Sequence, residues 1–447
     1  MNFPSHTSLL SGWGRYPQVL GKIIEPSSPF KKLELPASFT TFTPRGLGRS
    51  YGDAALPLDN GLVIQTANLR HFLFFDSEKG IVKAEAGVTL QNILDVAIPQ
   101  GWFLPVTPGT RFVSLGGAVA ANVHGKNHHQ CGAIAHCIQE IEILTERGLF
   151  TATPESHRDL FLATLGGFGL TGFIQTVTLA LKKIETSKIK ARFIRVSDFE
   201  EALDLCKRYE QDFEYSVSWI DCLAENLGRG IVMLGTHAKK SEIPETPDPL
   251  QNTWKKSFSI PMPGFLLNTW SLKTFNTLYY HLKGKKTERL LNLEEWFFPL
   301  DAILKWNLLY GPRGFVQYQC VIPFRDGMRG MQQILEFLTQ NKIDSFLAVL
   351  KTVKQDEVLL PFATAGYTLA LDIPFRHPSL LHKLDELDKI VVRFGGRIYL
   401  AKDARLSPSL FREMYPEYPN WISTVLKYSP EKKFYTLLAK RLHFGDP

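Results

Sequence analysis

Apolar and polar positions alternate through Phe173–Leu181 and through Tyr215, Val217 and Trp219, and this period of two predicts half-buried strands. Short apolar runs at Val63-Ile64, Ile81–Ala86 and Ile138–Leu144 predict further strands, with Glu146-Arg147-Gly148 as a hairpin turn before Leu149–Thr153. The period changes to that of a helix after Thr89, where Leu90, Ile93, Leu94 and Ala97 share one face. Ser156-His157-Arg158-Asp159 reads as a capping box opening a helix through Leu165, and Ser197 with Glu200 reads as another after a strand holding Ile189, Ala191, Phe193 and Ile194. From residue 314 the pattern predicts strand Phe315–Ile322, helix Met328–Leu338, strands Phe346–Val353 and Tyr367–Ile373, helix Ser379–Phe394 and strand Arg397–Leu400. That order is an α+β layer, with helices on one face of an antiparallel sheet.

Residues 236–295 break this regularity. Pro244, Pro247, Pro249, Pro261 and Pro263 interrupt them, and Trp254, Phe258, Phe265, Trp270 and Tyr279 stand among lysines. Two readings stay open: a long excursion packed on the second half, or a lid or patch resting on an anionic membrane.

A chain of 447 residues is long enough for two or three domains, and 44 % hydrophobic against 21 % charged residues is a globular balance. The net charge of +7 is spread along the chain without an arginine-rich arm, so no nucleic-acid partner is expected. Five cysteines without C-x-x-C spacing fit a reducing compartment, with neither a disulfide framework nor a zinc site. No signal-peptide core and no run of 18 apolar residues is found, so the expected location is cytoplasmic, with peripheral membrane contact as an option.

The candidate chemistry begins with Arg45-Gly46-Leu47-Gly48-Arg49-Ser50-Tyr51-Gly52-Asp53, whose three glycines let backbone approach a ligand. No helix follows, so this is not a Rossmann turn. Gly167-Phe168-Gly169-Leu170-Thr171-Gly172 matches G-x-G-x-x-G in letters, but it follows a helix and precedes a strand. A second cluster runs from Pro108-Gly109-Thr110-Arg111 through Ser114-Leu115-Gly116-Gly117, where Ser114 caps an expected helix whose first N–H groups face an anion. His124, His128 and His129 have no acidic or cysteine partner at metal spacing, so no metal is assigned. Gln317 and Gln319 point to one face of a strand, where they hold sugar hydroxyls or simply face solvent. Lys402 and, less strongly, Lys351 end apolar strands; each is either an ordinary strand-end lysine or a buried amine of lowered pKa.

Taken in order, these pieces carry a resemblance. Gly46–Asp53, Pro108–Arg111, His124-Gly125-Lys126-Asn127-His128-His129, Gly169–Gly172, Trp306-Asn307, Tyr310-Gly311-Pro312, Gln317-Tyr318-Gln319 and Tyr399 with Ala401-Lys402-Asp403 resemble the vanillyl-alcohol-oxidase type of FAD-dependent oxidoreductases. Within it they are similar to the branch that acts on a polyprenylphosphoryl-ribose. The resemblance implies a two-domain, PCMH-type FAD-binding fold with residues 1–184 as FAD domain, 185–396 as substrate domain and 397–447 returning to the first. It places FAD against Arg45–Asp53 and Ser114–Gly117, with Gly109, Ala121, Asn122, Val123, His124, Ile174 and Tyr399 lining the rest. Arg49 stands where several relatives carry the histidine that attaches FAD, which implies non-covalent FAD.

On the substrate side the resemblance implies Lys402, Tyr51, His124 and Gln319 as catalytic, and Gln317, Lys351, Tyr310 and Trp219 as substrate-binding. Lys402 would take a carbinol proton or steady the negative charge left by hydride transfer. The implied reaction oxidises the 2′-hydroxyl of the sugar to a ketone, with an NADH-dependent short-chain reductase completing an epimerisation. The alternative is an oxidase of a soluble polyol or sugar lactone. One departure bears on this choice: the related strand carries Asn-x-Cys, and here it reads Thr368-Leu369-Ala370.

Overall fold

The computed structural model describes residues 5–26, 40–224, 227–244, 256–257, 269–283 and 287–446. Strands β1 (Ser5–Ser11), β2 (Gln18–Ile24), β3 (Phe42–Arg45) and β4 (Leu62–Gln65) form a small sheet in the order β1-β2-β4-β3. A second, antiparallel sheet takes β5 (Phe72–Asp76), β6 (Ile81–Glu85), β7 (Ile138–Thr145), β8 (Gly148–Ala152) and β9 (Phe173–Ala180) in the order β5-β6-β9-β7-β8. Helices α1 (Leu90–Ala97) and α2 (Leu115–Ala120) share a core with it, where Leu90, Ile93, Leu115 and Val119 meet Val82, Ile141 and Val177. Each such buried aliphatic side chain contributes on the order of 2 kcal/mol. The α1 cap is the expected one: the Thr89 hydroxyl accepts from the Asn92 N–H, and Asn92 accepts from the Thr89 N–H.

The second half is built on eight antiparallel strands: β10 (Lys188–Val196), β11 (Tyr215–Ile220), β12 (Gly230–His237), β13 (Thr287–Asn292), β14 (Phe315–Pro323), β15 (Leu347–Val353), β16 (Gly366–Pro374) and β17 (Arg397–Ile398), in the order β13-β10-β12-β11-β15-β16-β14-β17. Helices α3 (Arg158–Thr164), α4 (Phe199–Arg208), α5 (Thr269–Lys283), α6 (Gly327–Gln340) and α7 (Ser379–Arg393) follow in chain order. Met331, Ile334, Leu335 and Leu338 of α6, and Leu384, Leu387 and Val391 of α7, recur at helical spacing and bury one face of each helix in the sheet's core. The α+β architecture is thus the expected one.

Several local expectations are corrected. Helix α3 forms, but His157 occupies the cap in left-handed backbone (φ 49°) and no side chain caps it. The cap of α4 is Asp198, accepting from the Glu201 N–H at 2.9 Å, rather than Ser197 with Glu200. The last strand stops at Ile398. Inside the stretch read as patternless lie α5 and β13, which pairs with β10 from Lys188↔Asn292 to Phe193↔Thr287. Trp254, Phe258 and Phe265 fall outside the described residues.

The C-terminal helices α8 (Pro408–Met414), α9 (Tyr418–Tyr428) and α10 (Leu437–Arg441) pack back on the first half. The Phe42 N–H donates to the Lys433 carbonyl, the Tyr435 N–H to the Phe42 carbonyl, and the Trp421 Nε1–H to the Ala163 carbonyl. This return sets Tyr399–Lys402 against the glycine-rich loop, where the Tyr51 N–H donates to the Ala401 carbonyl at 3.1 Å.

Candidate active site

Between the glycine-rich loop, residues 108–124 and the open face of the large sheet lies a cleft of about 300 Å³. One wall is mostly backbone. Gly48 has φ +64°, and a Cβ there would strike the Arg45 guanidinium; a Cβ on Gly46 would strike the Ser114 hydroxyl. Gly109 faces open space, with nothing within 4 Å of an added Cβ. Arg45 braces the loop from behind, donating to the Ala55 and Ser11 carbonyls at 2.9 and 2.7 Å, and burial lowers its pKa to about 10. Arg49 lies 3.9 Å over the Trp13 ring, and its buried Nε has no partner. The buried Thr66 hydroxyl on the same wall is also unpartnered.

The N-terminus of α2 behaves differently from expectation. Ser114 makes no side-chain cap, and the Leu115 and Gly116 N–H groups donate to the Val88 and Ala86 carbonyls at 2.7 and 2.8 Å. Those two donors are therefore occupied by backbone, while Ser114, Gly116 and Gly117 still line the cleft.

The opposite wall is the sheet. Strand alternation puts Gln317 and Gln319 of β14, Leu347, Val349 and Lys351 of β15, and Thr368, Ala370 and Asp372 of β16 on one face, with Gln317 paired to Asp372 and Gln319 to Ala370. His124 sits between this face and the loop. The Thr368 hydroxyl donates to the Cys320 carbonyl at 2.7 Å, so it can only accept from Gln319 Nε2, 3.2 Å away. That contact turns the amide N–H₂ toward His124 Nε2 at 3.1 Å, which therefore accepts. The imidazole hydrogen then lies on Nδ1, 3.1 Å from Lys351 Nζ, whose own hydrogen reaches the Gly125 carbonyl at 3.2 Å. Two donors meet at Nδ1 unless Lys351 offers its lone pair, and burial lowers its pKa to about 8. Burial, helped by Lys351, His128 and Lys402, also holds the His124 imidazole well below its ordinary pKa and hence neutral.

Lys402 closes the back of the cleft, with Nζ 3.8 Å over the Tyr51 ring. Burial lowers its pKa; Asp372 opposes this and Lys351 adds to it. Burial and the Asp372 charge hold the Tyr51 hydroxyl well above its ordinary pKa. The Tyr399 hydroxyl donates to the Ala121 carbonyl at 2.5 Å, and its ring stacks on Phe362 at 4.5 Å.

Arg45–Tyr51, Gly109, Ser114, Gly116, Gly117, Ala121, Val123, His124, Ile174 and Tyr399 line the cleft, as do Gln317, Gln319, Lys351 and Lys402. Gly52, Asp53, Leu115 and Asn122 stand behind its wall. Gly52 packs on the Asp403 backbone, Asp53 pairs with Arg441, Leu115 is core, and Asn122 Oδ1 accepts from the Ala135 N–H. Tyr310 is buried against Phe315 at 4.2 Å and Trp219 against Tyr279 at 4.9 Å; Trp219 is paired with Val349 and Phe315 alternates with Gln317, so both lie on the cleft side of the sheet without lining the cleft itself. Sequence reasoning missed Trp13 on the wall and Asp372 beside it, and it met Trp306 on the same wall only within the Trp306-Asn307 piece, without a role. Only Asp372 carried a usable signal, two residues beyond Ala370 on the same strand face. His128 faces Asp356 at 3.2 Å and His129 the Phe213 carbonyl, and among the described residues no group of three His, Cys, Asp or Glu gathers as for a metal.

A long, glycine-walled cleft with unpartnered Arg49 and Thr66 atoms on one side and amides on the other fits a flat group joined through a diphosphate. Residues 36–153 match the family model described as FAD binding domain. The fold and cleft thus define a flavoprotein: the chain binds FAD and is an FAD-dependent oxidoreductase. It is 34 % identical, over 98 % of both chains, to decaprenylphosphoryl-β-D-ribose oxidase of Mycolicibacterium smegmatis, and it belongs to that enzyme's family. It is also 26 % identical to human Δ(24)-sterol reductase over 43 % of this chain and 36 % of that one. With a D-lactate dehydrogenase of Anaerostipes hadrus it shares 26 % identity, over 31 % of this chain and 30 % of the other. Among the described residues no helix is long and apolar enough to cross a membrane.

Proposed function

We propose that the chain oxidises the 2′-hydroxyl of a polyprenylphosphoryl-ribose to a ketone, the first half of an epimerisation. The observation that carries this reading is the convergence of Lys402, Lys351, His124, Gln317 and Gln319 on one cleft, which the glycine-rich loop also lines. Full-length similarity to an enzyme named for decaprenylphosphoryl-β-D-ribose supports the substrate class.

When bound, FAD supplies a hydride acceptor. The chain's own residues do the rest. Lys402, an amine of lowered pKa, takes the hydroxyl proton as the C–H bond yields its hydride, so the alcohol loses both hydrogens and two electrons. Gln317 and Gln319 hold the sugar hydroxyls, and neutral His124 and Lys351 fix the floor beneath them. Tyr51 keeps Lys402 aimed into the cleft through its ring face. Tyr310 and Trp219, on the cleft side of the sheet, complete the substrate-binding set.

The same reading divides the chain into residues 1–184, 185–396 and 397–447, the last returning to the first, and gives a non-covalent FAD. Arg49, held on Trp13 in the attachment position, supports the latter. Denaturation in acid releases all of such a flavin into the supernatant. Exposed Phe275, Leu278 and Leu282 on α5 support peripheral contact with a lipid tail or membrane. An NADH-dependent short-chain reductase would consume the ketone.

The deciding experiment is anaerobic mixing of the holoprotein with a polyprenylphosphoryl-ribose. Bleaching of the flavin at 450 nm (roughly where oxidised flavins absorb) is expected. Bleaching by soluble polyols or sugar lactones alone overturns the lipid reading in favour of a soluble-polyol oxidase.

A further inference from the structure

Asp372 stands at the end of the polar row on the cleft face of the sheet and is 1 % exposed. Its Oδ1 accepts from Gln317 Nε2, while Oδ2 and the amide oxygen of Gln317 are both buried without a partner. A carboxylate can only accept, so it holds the N–H₂ of Gln317 toward itself and turns the amide oxygen away. That oxygen is then an unsatisfied acceptor on a cleft-lining residue, suited to a hydroxyl donor. Asp372 also supplies the negative charge felt by Lys402, the amine on the adjoining wall.

We infer that Asp372 is a positioning residue: it sets the orientation of the Gln317 amide and is the counter-charge to Lys402. This rests on the reading of Lys402 as proton acceptor. The groups facing the pair are few, and besides those that follow they include His124, held neutral, which faces Lys402. Gln317, Tyr51 and Tyr310 surround Asp372, and Lys351 from β15 and the Tyr51 ring surround Lys402. Burial lowers the Lys402 pKa and Lys351 adds to that, so the Asp372 charge is the raising influence among them.

Two effects on two partners can be separated. Asp372→Asn keeps an oxygen that accepts from Gln317 but removes the charge. The acid limb of flavin reduction by polyprenylphosphoryl-ribose should move down by about one pH unit, with KM within about twofold of the parent. Gln317→Leu keeps the charge and removes the amide, so KM should rise at least about fivefold while the acid limb stays. Acetic anhydride labelling of Lys402 in the full chain, read by mass spectrometry against pH, needs no substrate and should give the same downward shift for Asp372→Asn. Superimposed labelling curves for Asp372→Asn and the parent overturn the inference, even if the variant takes up no FAD. A shift of the acid limb by Gln317→Leu as large as that by Asp372→Asn overturns it too. If the parent flavin is not bleached by the substrate, the functional reading fails, and the labelling curves still decide the role of Asp372.

Discussion

The hydroxyl of Thr368 fixes the amide of Gln319 from 3.2 Å away, because its own hydrogen is already given to the Cys320 carbonyl. This contact determines which nitrogen of His124 carries the proton, two hydrogen bonds further on. The polarity of this run of hydrogen bonds is thus set by a residue that can donate only once.

Replacing Thr368 with valine keeps the shape and frees the Gln319 amide. The expected loss is about 2 kcal/mol of stability, since two buried hydrogen bonds disappear, with kcat/KM falling about tenfold. Thermal unfolding and stopped-flow flavin reduction check the two parts separately. An unchanged kcat/KM would leave Thr368 as a packing residue.

Lys402→Ala should retain the flavin spectrum and lose turnover by about a hundredfold or more, the usual scale of a lost acid–base group. Flavin reduction in single-turnover mixing is the measurement. A rate near the parent's would demote Lys402 to scaffold.

Lys351 illustrates the sign of a buried amine. Its pKa falls from 10.5 to about 8 on folding, so the unfolded chain binds the proton more tightly. The resulting penalty is present in full below pH 8 and fades as pH rises toward 10.5. Its ceiling is about 3 kcal/mol, offset by the bonds Lys351 makes to His124 and Gly125. Lys351→Met should therefore be most favourable to stability, relative to the parent, near pH 7–8, and the difference should shrink as pH rises. Denaturant unfolding of both proteins at several pH values tests this; a pH-independent difference contradicts it.

Arg441 joins the loop to the C-terminal return. It donates to Asp53 and Asp403 at 2.8 Å each, and both carboxylates are nearly fully buried. Arg441→Ala leaves two buried charges facing each other and should cost about 3–5 kcal/mol. FAD affinity should fall with it, because Asp53 anchors the end of the glycine-rich loop. Unfolding midpoints and fluorimetric FAD titration report the two losses.

Much of the fold was legible in the residues. The helical spacing of Leu90, Ile93, Leu94 and Ala97, and the period-two alternation around Gln317 and Gln319, correspond to α1 and β14. Caps were less legible, since the side chain that reaches the N–H groups depends on how the chain enters the helix, as at Asp198. Helix α5 and strand β13 were missed because they follow a proline-broken stretch and their own apolar positions are scattered among polar ones; for β13, pairing with β10 compensates for weak local preference.

What the sequence by itself determined is the chemistry within each element. Glycines make the loop a backbone surface, and alternation puts two amides, the Lys351 amine and a carboxylate on one face of a sheet. What only the tertiary structure decided is their meeting. His124 touches Gln319 across 195 residues and Lys351 across 227. The first N–H groups of α2 are taken by the turn that follows β6, while Asp372 is left with one unsatisfied oxygen. Local periodicity says which side of a strand a residue faces. Whether that side meets solvent, core or cleft depends on what packs against it, and that is a property of the whole folded chain.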